Sequence, residues 1–576
     1  MLVLVALAAG CGGDGKAAPD ATVQLPSPDA RVGPPDAGPP DGMPGAPSAL
    51  PDGGFADNGA LPLAADPDTL DFAYIAPQAC GNDWLARYAE EGKCRDAFAS
   101  DLGVMSALGA RVVKLVMPPQ WNGQTFEFDT CGGEVDNPDL AKVEQNLPTV
   151  VEALAAHGMK VVVNFTSNEW FLRSSFGYWP GNNGQDYWSQ TYACQSGTEA
   201  ENAAKLGDDM VKWQNGIIGA IQADAAAAAA IEYYLVLTEV NYCQTCSTPW
   251  SASIQSVVAR HVFAGSAAPA GKLGADSGVR VPDSVLLAAD ASAAHRTIDF
   301  TEVHVYPDQL DRNGLNQDVG AAVAEARKDL PGSIVTIGEL GSRYCEAHSE
   351  ANQISTPTKG GVADILAEAH AASVAQAMNW DPYDYDDATC EVADNGRFGI
   401  GFSIEKPRDL YGWLAEHAGG LTNGDFERDA QGWLAGGTGP GPSLARVGPA
   451  NDAATGSSYL RLTDGDGWAW ACTPLLSVAG RTHFIVGGYV RSDLTNLSID
   501  LYSRAAGSWS VTHHPKTLLG DGGTWRQLQG LAGPAGDLAF DFGPLAGVDR
   551  FLVCFAQLAP AGEHHLDLDA VSVQAY

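Results

Sequence analysis

Two glutamates invite a chemical reading. Glu239 closes the apolar run of YLVLTE, and Glu339 closes that of SIVTIGE. A carboxylate at the mouth of a buried strand can mark the strand's exit into solvent. Two of them converging on one site can do acid–base work. One keeps its proton and gives it to a leaving oxygen. The other stays ionised and attacks carbon or activates water. Mutual repulsion and unequal burial separate the two pKa values. Glu169 is a further carboxylate near a strand end.

Other polar residues gather at strand ends in the same way. They are Lys114, Trp121, Asn164, Trp170, Asn241, Glu302, His304, Tyr306 and Trp380. His304 on an apolar strand is also compatible with a satisfied core histidine, and Glu302, two residues earlier on the same face, with an ion pair. The segment after Asn164 interleaves aromatics (Trp170, Phe171, Phe176, Tyr178, Trp179) with Asn182, Asn183, Gln185 and Asp186. Flat rings beside amides suit a polyhydroxyl ligand.

The elements that must position these residues alternate. Strand-like runs cover 71–77, 110–118, 159–167, 231–239, 283–290, 296–307, 333–341 and 373–382. Helical patterns cover 96–108, 140–157, 203–230, 251–264, 319–329, 360–372 and 406–417. The strand runs are continuously apolar, as in sheets covered on both faces. Eight such units in roughly 350 residues predict an α/β fold, a (β/α)8 TIM barrel over 70–418. A doubly wound open sheet is the alternative. No GxGxxG follows an early strand, which removes its dinucleotide-binding version. From 420 to 576 the pattern changes to short period-2 strands, predicting an all-β sandwich of the jelly-roll type.

Composition sets the surroundings. The 576 residues exceed one ordinary domain. Acidic residues number 70 against 33 basic, a net charge of -37 without a basic cluster, which excludes a nucleic-acid partner. The start, MLVLVALAAGCGG, carries an apolar run too short to span a bilayer. Residues 1–11 resemble a bacterial lipoprotein signal with Cys11 as the lipidated residue. Residues 12–68, rich in Gly, Ala, Pro and Asp, read as a disordered tether. Of the 11 cysteines, ten remain after Cys11, an even number that suits disulfides in an oxidising compartment, with Cys472 and Cys554 as a pair. Cys243-Gln-Thr-Cys246 has no second CxxC and reads as a loop staple or as two halves of different staples. No metal-ligand set stands out. The acidic loop of Asp381, Asp384, Asp386 and Asp387 allows at most a structural calcium, and no cofactor is expected.

Taken together, region 70–418 resembles the cellulase-like glycoside hydrolases of family five and their relatives in the same barrel clan. The resemblance rests on Thr238-Glu239-Val240, Ile337-Gly338-Glu339-Leu340-Gly341, His304-Val305-Tyr306 and Trp380. It implies Glu239 as acid/base, Glu339 as nucleophile and retention of configuration on a β-linked polysaccharide. It departs where the clan's strand-two Arg is Lys114 and the Asn before the acid is Thr238. Region 420–576 resembles carbohydrate-binding modules of the family-four and family-nine type, through the opening Asn423-Gly424-Asp425-Phe426-Glu427 and the closing Asp569-Ala570-Val571-Ser572-Val573. Trp468, Trp470, Tyr489 and Tyr502 are its candidate stacking residues. The expectation is a monomeric, lipid-anchored or secreted glycanase of the cell envelope. The alternative is a catalytically inactive, surface-anchored sugar-binding lipoprotein.

Overall fold

The computed structural model describes residues 70–77, 83–117, 139–166, 196–238, 252–276, 284–306, 318–341 and 361–380 in the barrel region. In the C-terminal region it describes 433–437, 442–465, 467–477, 484–505, 508–517, 524–528, 541–542 and 547–575, with a few shorter pieces elsewhere. Cys11, the CxxC, the 381–387 acidic loop, Glu169 and the aromatic segment after it lie outside the described residues. So does the 12–68 stretch, apart from Leu61–Pro62, which pairs in parallel with Leu476–Ser477.

Eight parallel strands close into a barrel. They are β1 (Asp71–Tyr74), β2 (Val112–Met117), β3 (Lys160–Phe165), β4 (Ile231–Leu237), β5 (Leu273–Asp276), β6 (Phe300–Val305), β7 (Ile334–Leu340) and β8 (Ala377–Trp380). β8 returns to β1 through Met378 opposite Asp71. All six residues of β2 and of β6 are buried, because one face fills the barrel and the other meets helices. The lower interior is an apolar plug of Val112, Val162, Tyr233, Leu235, Phe300 and Met378. Tyr233 stacks on Phe300 with ring centroids 4.3 Å apart. The outer helices include α1 (Gly92–Ala107), α2 (Asp139–Ala156), α3 (Glu199–Ala223), α4 (Ala225–Ala230), α5 (Ala252–Gly265), α6 (Ser284–Ala293), α7 (Val319–Asp329) and α8 (Val362–Ala371). Thr198 and Glu201 form a capping box at the start of α3, and Asp224 ends α3 and caps α4.

The fifth strand is a correction. The run 283–290, expected as a strand, is helix α6, and β5 is the four-residue segment Leu273–Asp276 before it. A short apolar run such as SVLLAA fits a helix as well as a strand. LGAD contains no β-branched residue and a glycine, so it carries little strand signal. The expected last helix also begins later. Lys406–Pro407 pairs with Gly401–Ser403, and helical residues lie at Leu410, Tyr411, Trp413 and Leu414.

The C-terminal region is a β-sandwich of two sheets, antiparallel apart from the Leu61–Pro62 addition. Its core holds Leu460, Leu462, Val486, Val490, Ile499, Leu501, Val553, Phe555 and Val573. Cys472 and Cys554, directly opposite on neighbouring strands, are joined, as are Cys80 and Cys94.

Tyr489 lies on the outer face of one sheet and was a candidate stacking residue. It is fully buried, with its ring edge-on to Tyr411 of the barrel region at 5.1 Å. Tyr489 and Ala570 belong to the same buried cluster as the barrel's helices. A ring enclosed there cannot receive a sugar. Trp468 and Tyr502 keep only 7% exposure each, and Trp470 is half-buried with its ring over Gly436. Tyr489→Ala should therefore lower barrel stability by about 3–5 kcal/mol. Chemical denaturation followed by tryptophan fluorescence of the whole chain reads this, and truncation after residue 419 should be more damaging still.

Candidate active site

Side chains on β2, β4, β5, β6 and β7 meet above the apolar plug. On β6, Phe300, Glu302 and His304 face inward at successive levels, since alternate residues share a face. The same alternation brings Lys114 in from β2, Asn164 from β3 and Tyr233 from β4. On β7 it breaks. Thr336 lies opposite Glu302 and Ile337 opposite Val303, but Glu339 lies opposite His304. The register against β8 shifts in the same interval. This bulge takes up Gly338 and turns Glu339 into the barrel, where strict alternation would turn it out.

Lys114 is completely buried. Its Nζ is 3.1 Å from Glu302 Oε2 and 3.5 Å from Glu339 Oε1. The Tyr233 hydroxyl donates to Glu302 Oε1 at 2.6 Å and lies 3.2 Å from Thr336 Oγ1. On Glu339 Oε2, the Tyr306 hydroxyl donates at 2.9 Å and His304 Nδ1 stands at 3.1 Å. The other ring nitrogen of His304, Nε2, faces Asp276 Oδ2 at 3.7 Å and Glu302 Oε2 at 3.8 Å. Each carboxylate thus has a cationic or hydrogen-bonding neighbour, and all of them are buried.

The electrostatics follow. Burial alone would raise the Glu339 pKa, but His304 and Lys114 outweigh it and hold the carboxyl below the ordinary carboxylate range. Burial would also raise Glu302, and Lys114 with His304 brings it down. Burial would lower Lys114, and Glu302, Glu339 and Asp276 more than reverse that. Tyr233 is pushed well above its ordinary value by burial and by the Glu302 charge beside it. Glu339 is therefore built to stay ionised, while Tyr233 is held as a neutral donor.

The remaining expected residues distribute as follows. Thr238, the residue before Glu239, is buried and donates its hydroxyl to Asn164 Oδ1. Trp380 is partly buried on the inward side that it shares with Met378. Trp121 sits in a two-residue strand paired with Gln124–Thr125, and its side chain lies outside the described residues. Glu239, Trp170 and Asn241 lie outside them as well. Lys114 and Glu302, expected to contact substrate, are 0% exposed and engaged with each other, so they support Glu339 from beneath. Asp276, Tyr233 and Thr336 join the network unannounced. Asp276 was missed because the strand that carries it was missed. Tyr233 was hidden inside an apolar run, where a tyrosine reads as core.

Asp276, Glu302 and His304 bring potential ligand atoms within 4.8 Å of one another. The Lys114 ammonium already stands against Glu302 there, and a divalent ion would face its charge directly.

The fold and site together define a (β/α)8 barrel whose mouth holds a buried, ionised carboxylate. No family model matches the chain, and no curated protein matches it. Among solved structures, it is similar to GH5_18 from Streptomyces cattleya in complex with GlcNAc, at 15% identity and a TM-score of 0.38. That match covers 58% of this chain and 76% of the other. A second is TmCBM61 in complex with β-1,4-galactotriose, at 13% identity and a TM-score of 0.20, covering 27% of this chain and 97% of the module. A third is the enzymatically active domain of bacteriophage CBA120 tailspike protein 4, at 13% identity and a TM-score of 0.22. There the match covers 27% of this chain and 21% of the tailspike domain, about a fifth of its length. Likeness this loose carries no function across.

Gly338 exposes how tightly the site is built. A Cβ there would collide with the Glu302 carboxylate. Gly338→Ala must displace that carboxylate and leave Lys114 without its nearest partner. The expected cost is roughly 3–5 kcal/mol of stability, read from the urea midpoint at constant m-value.

Proposed function

We propose that the barrel is a retaining glycoside hydrolase acting on β-linked polysaccharide. The observation that carries this reading is Glu339, a buried carboxylate held ionised by His304 and Lys114 with Tyr306 donating to it. Such a group is suited to attack rather than to proton donation. In the first step a Glu339 oxygen bonds the anomeric carbon, the glycosidic C–O bond breaks, and Glu239 passes its proton to the departing oxygen. In the second, Glu239 takes a proton from water, the water oxygen bonds the anomeric carbon, and Glu339 leaves as the carboxylate. Lys114 and His304 assist this second step most, because they stabilise the departing negative charge. The same two groups temper the nucleophile in the first step. No cofactor enters either step.

The sandwich we assign to glycan binding, with Trp470 as its most accessible candidate ring. Docking to the barrel through Tyr489 gives it a structural role besides. The protein acts as a monomer, with no nucleic-acid partner, at the cell envelope or outside the cell. Among the described residues no helix is long and apolar enough to cross a membrane. Attachment falls to a lipid on Cys11, with 12–68 as the tether.

Turnover should be measured on a panel of β-glucans, mannans and xylans, with the first-formed anomer followed by proton NMR. Wild type should release product with retained configuration. Glu239→Gln should lose about 10²–10⁴-fold in kcat, and Glu339→Gln at least as much. The acid limb of kcat/KM should lie below the ordinary glutamate range, because Glu339 stays ionised there. Binding without turnover by wild type on every glycan would assign a sugar-binding role instead.

Cys11→Ser should move the protein from the membrane fraction to the soluble one, with turnover unchanged. Fractionation followed by immunoblotting reads this outcome.

A further inference from the structure

With a neutral histidine the buried cluster around Glu339 would carry two uncompensated negative charges, and an imidazolium reduces them to one. Three carboxylates, Asp276, Glu302 and Glu339, surround one ammonium, Lys114, and all four are buried. His304 lies among them, fully buried, with a carboxylate oxygen facing each ring nitrogen. A neutral imidazole has one N–H and one lone pair. With the proton on Nδ1, the Nε2 lone pair would face Asp276 and Glu302. With the proton on Nε2, the Nδ1 lone pair would face Glu339 at 3.1 Å. Either tautomer sets a lone pair against a carboxylate in a medium that screens little. The imidazolium presents a proton to both sides.

The two carboxylates near Nε2 are not equivalent. Glu302 has Lys114 at 3.1 Å on one oxygen and the Tyr233 hydroxyl at 2.6 Å on the other. Asp276, at the end of β5, stands at a comparable distance from Nε2 and on a different strand from His304. We propose that Asp276 is a positioning residue for Glu339, acting through His304. It holds the ring doubly protonated and oriented, so that Nδ1 always offers a proton to the carboxylate. The proposal rests on the reading of Glu339 as nucleophile. The charged and titratable groups around the ring, among the described residues, are Asp276 from β5, Glu302 from β6, Glu339 from β7 and Lys114 from β2. Tyr233 and Tyr306 stand behind the carboxylates.

The test uses the full chain labelled with 15N-histidine. His304 is assigned by the signal lost in His304→Gln, and nitrogen shifts report which ring nitrogens carry protons. Wild type should show both nitrogens of His304 protonated at pH 7. In Asp276→Asn the ring should become neutral at a pH lower by about one unit or more, the size expected for losing an opposite charge at this range. The alkaline limb of kcat should move down by the same amount, with KM little changed. Asp276→Glu, which keeps the charge, should restore both readouts and also shows that the position tolerates change. A neutral His304 in wild type at pH 7, or an unchanged titration in Asp276→Asn, overturns the proposal. The NMR readout needs no turnover. A wild type that cleaves no glycan yet shows the Asp276-dependent titration removes the glycosidase reading and leaves the linkage of Asp276 to His304 standing.

Discussion

Lys114 inside a closed barrel is the constraint around which the site is arranged. An ammonium stripped of water is costly, and several kcal/mol must be recovered from its neighbours. Glu302 and Glu339 recover it at 3.1 and 3.5 Å. At an effective dielectric of 20 such contacts are each worth on the order of 4 kcal/mol. The two carboxylates depend on it in turn, because each would otherwise take up a proton on burial. Removing any one of the three alters the ionisation of the other two. The network is thus a cooperative unit, in which stability and the ionisation of Glu339 rest on the same contacts.

Glu302 joins the two levels of the barrel. Below it, Tyr233 is stacked on Phe300 within the apolar plug and gives its hydroxyl to Glu302. Above it, His304 faces both Glu302 and Glu339. The plug fixes Tyr233, Tyr233 fixes one Glu302 oxygen, and Lys114 fixes the other. Geometry set by packing deep in the barrel is thereby handed up to the mouth through hydrogen bonds. A site built on strands rather than loops gains this support directly.

Much of this was legible in the amino-acid order. Long apolar runs such as VVKLVM and IEYYLVL state their burial on both faces, and polar residues at their ends point to the mouth. Lys114, Glu302, His304, Tyr306 and Glu339 could all be picked from the sequence and do meet. What they do there was less legible. Lys114 and Glu302 sit at strand positions that a substrate contact and a buried ion pair occupy equally well. The bulge at Gly338 has no sequence signature beyond a glycine, although it decides which way Glu339 faces. The fifth strand was hidden because LGAD is too short and too weakly β-forming to stand out beside SVLLAA, and Asp276 was hidden with it. Tyr489 had the residue type of a sugar platform. Its burial comes from Tyr411 and from the helix Gly92–Ala107, both distant in the chain.

That junction limits how the chain can be rearranged. A module joined only by a linker can be exchanged for another without disturbing its neighbour. Here Tyr489 and Ala570 complete the same apolar interior as the barrel's helices, so the sandwich is in part a wall of the barrel. A graft of this barrel onto a different sandwich would have to bring a matching face for Tyr411 with it. The two parts of the chain are therefore constrained to change together, residue against residue, across that face.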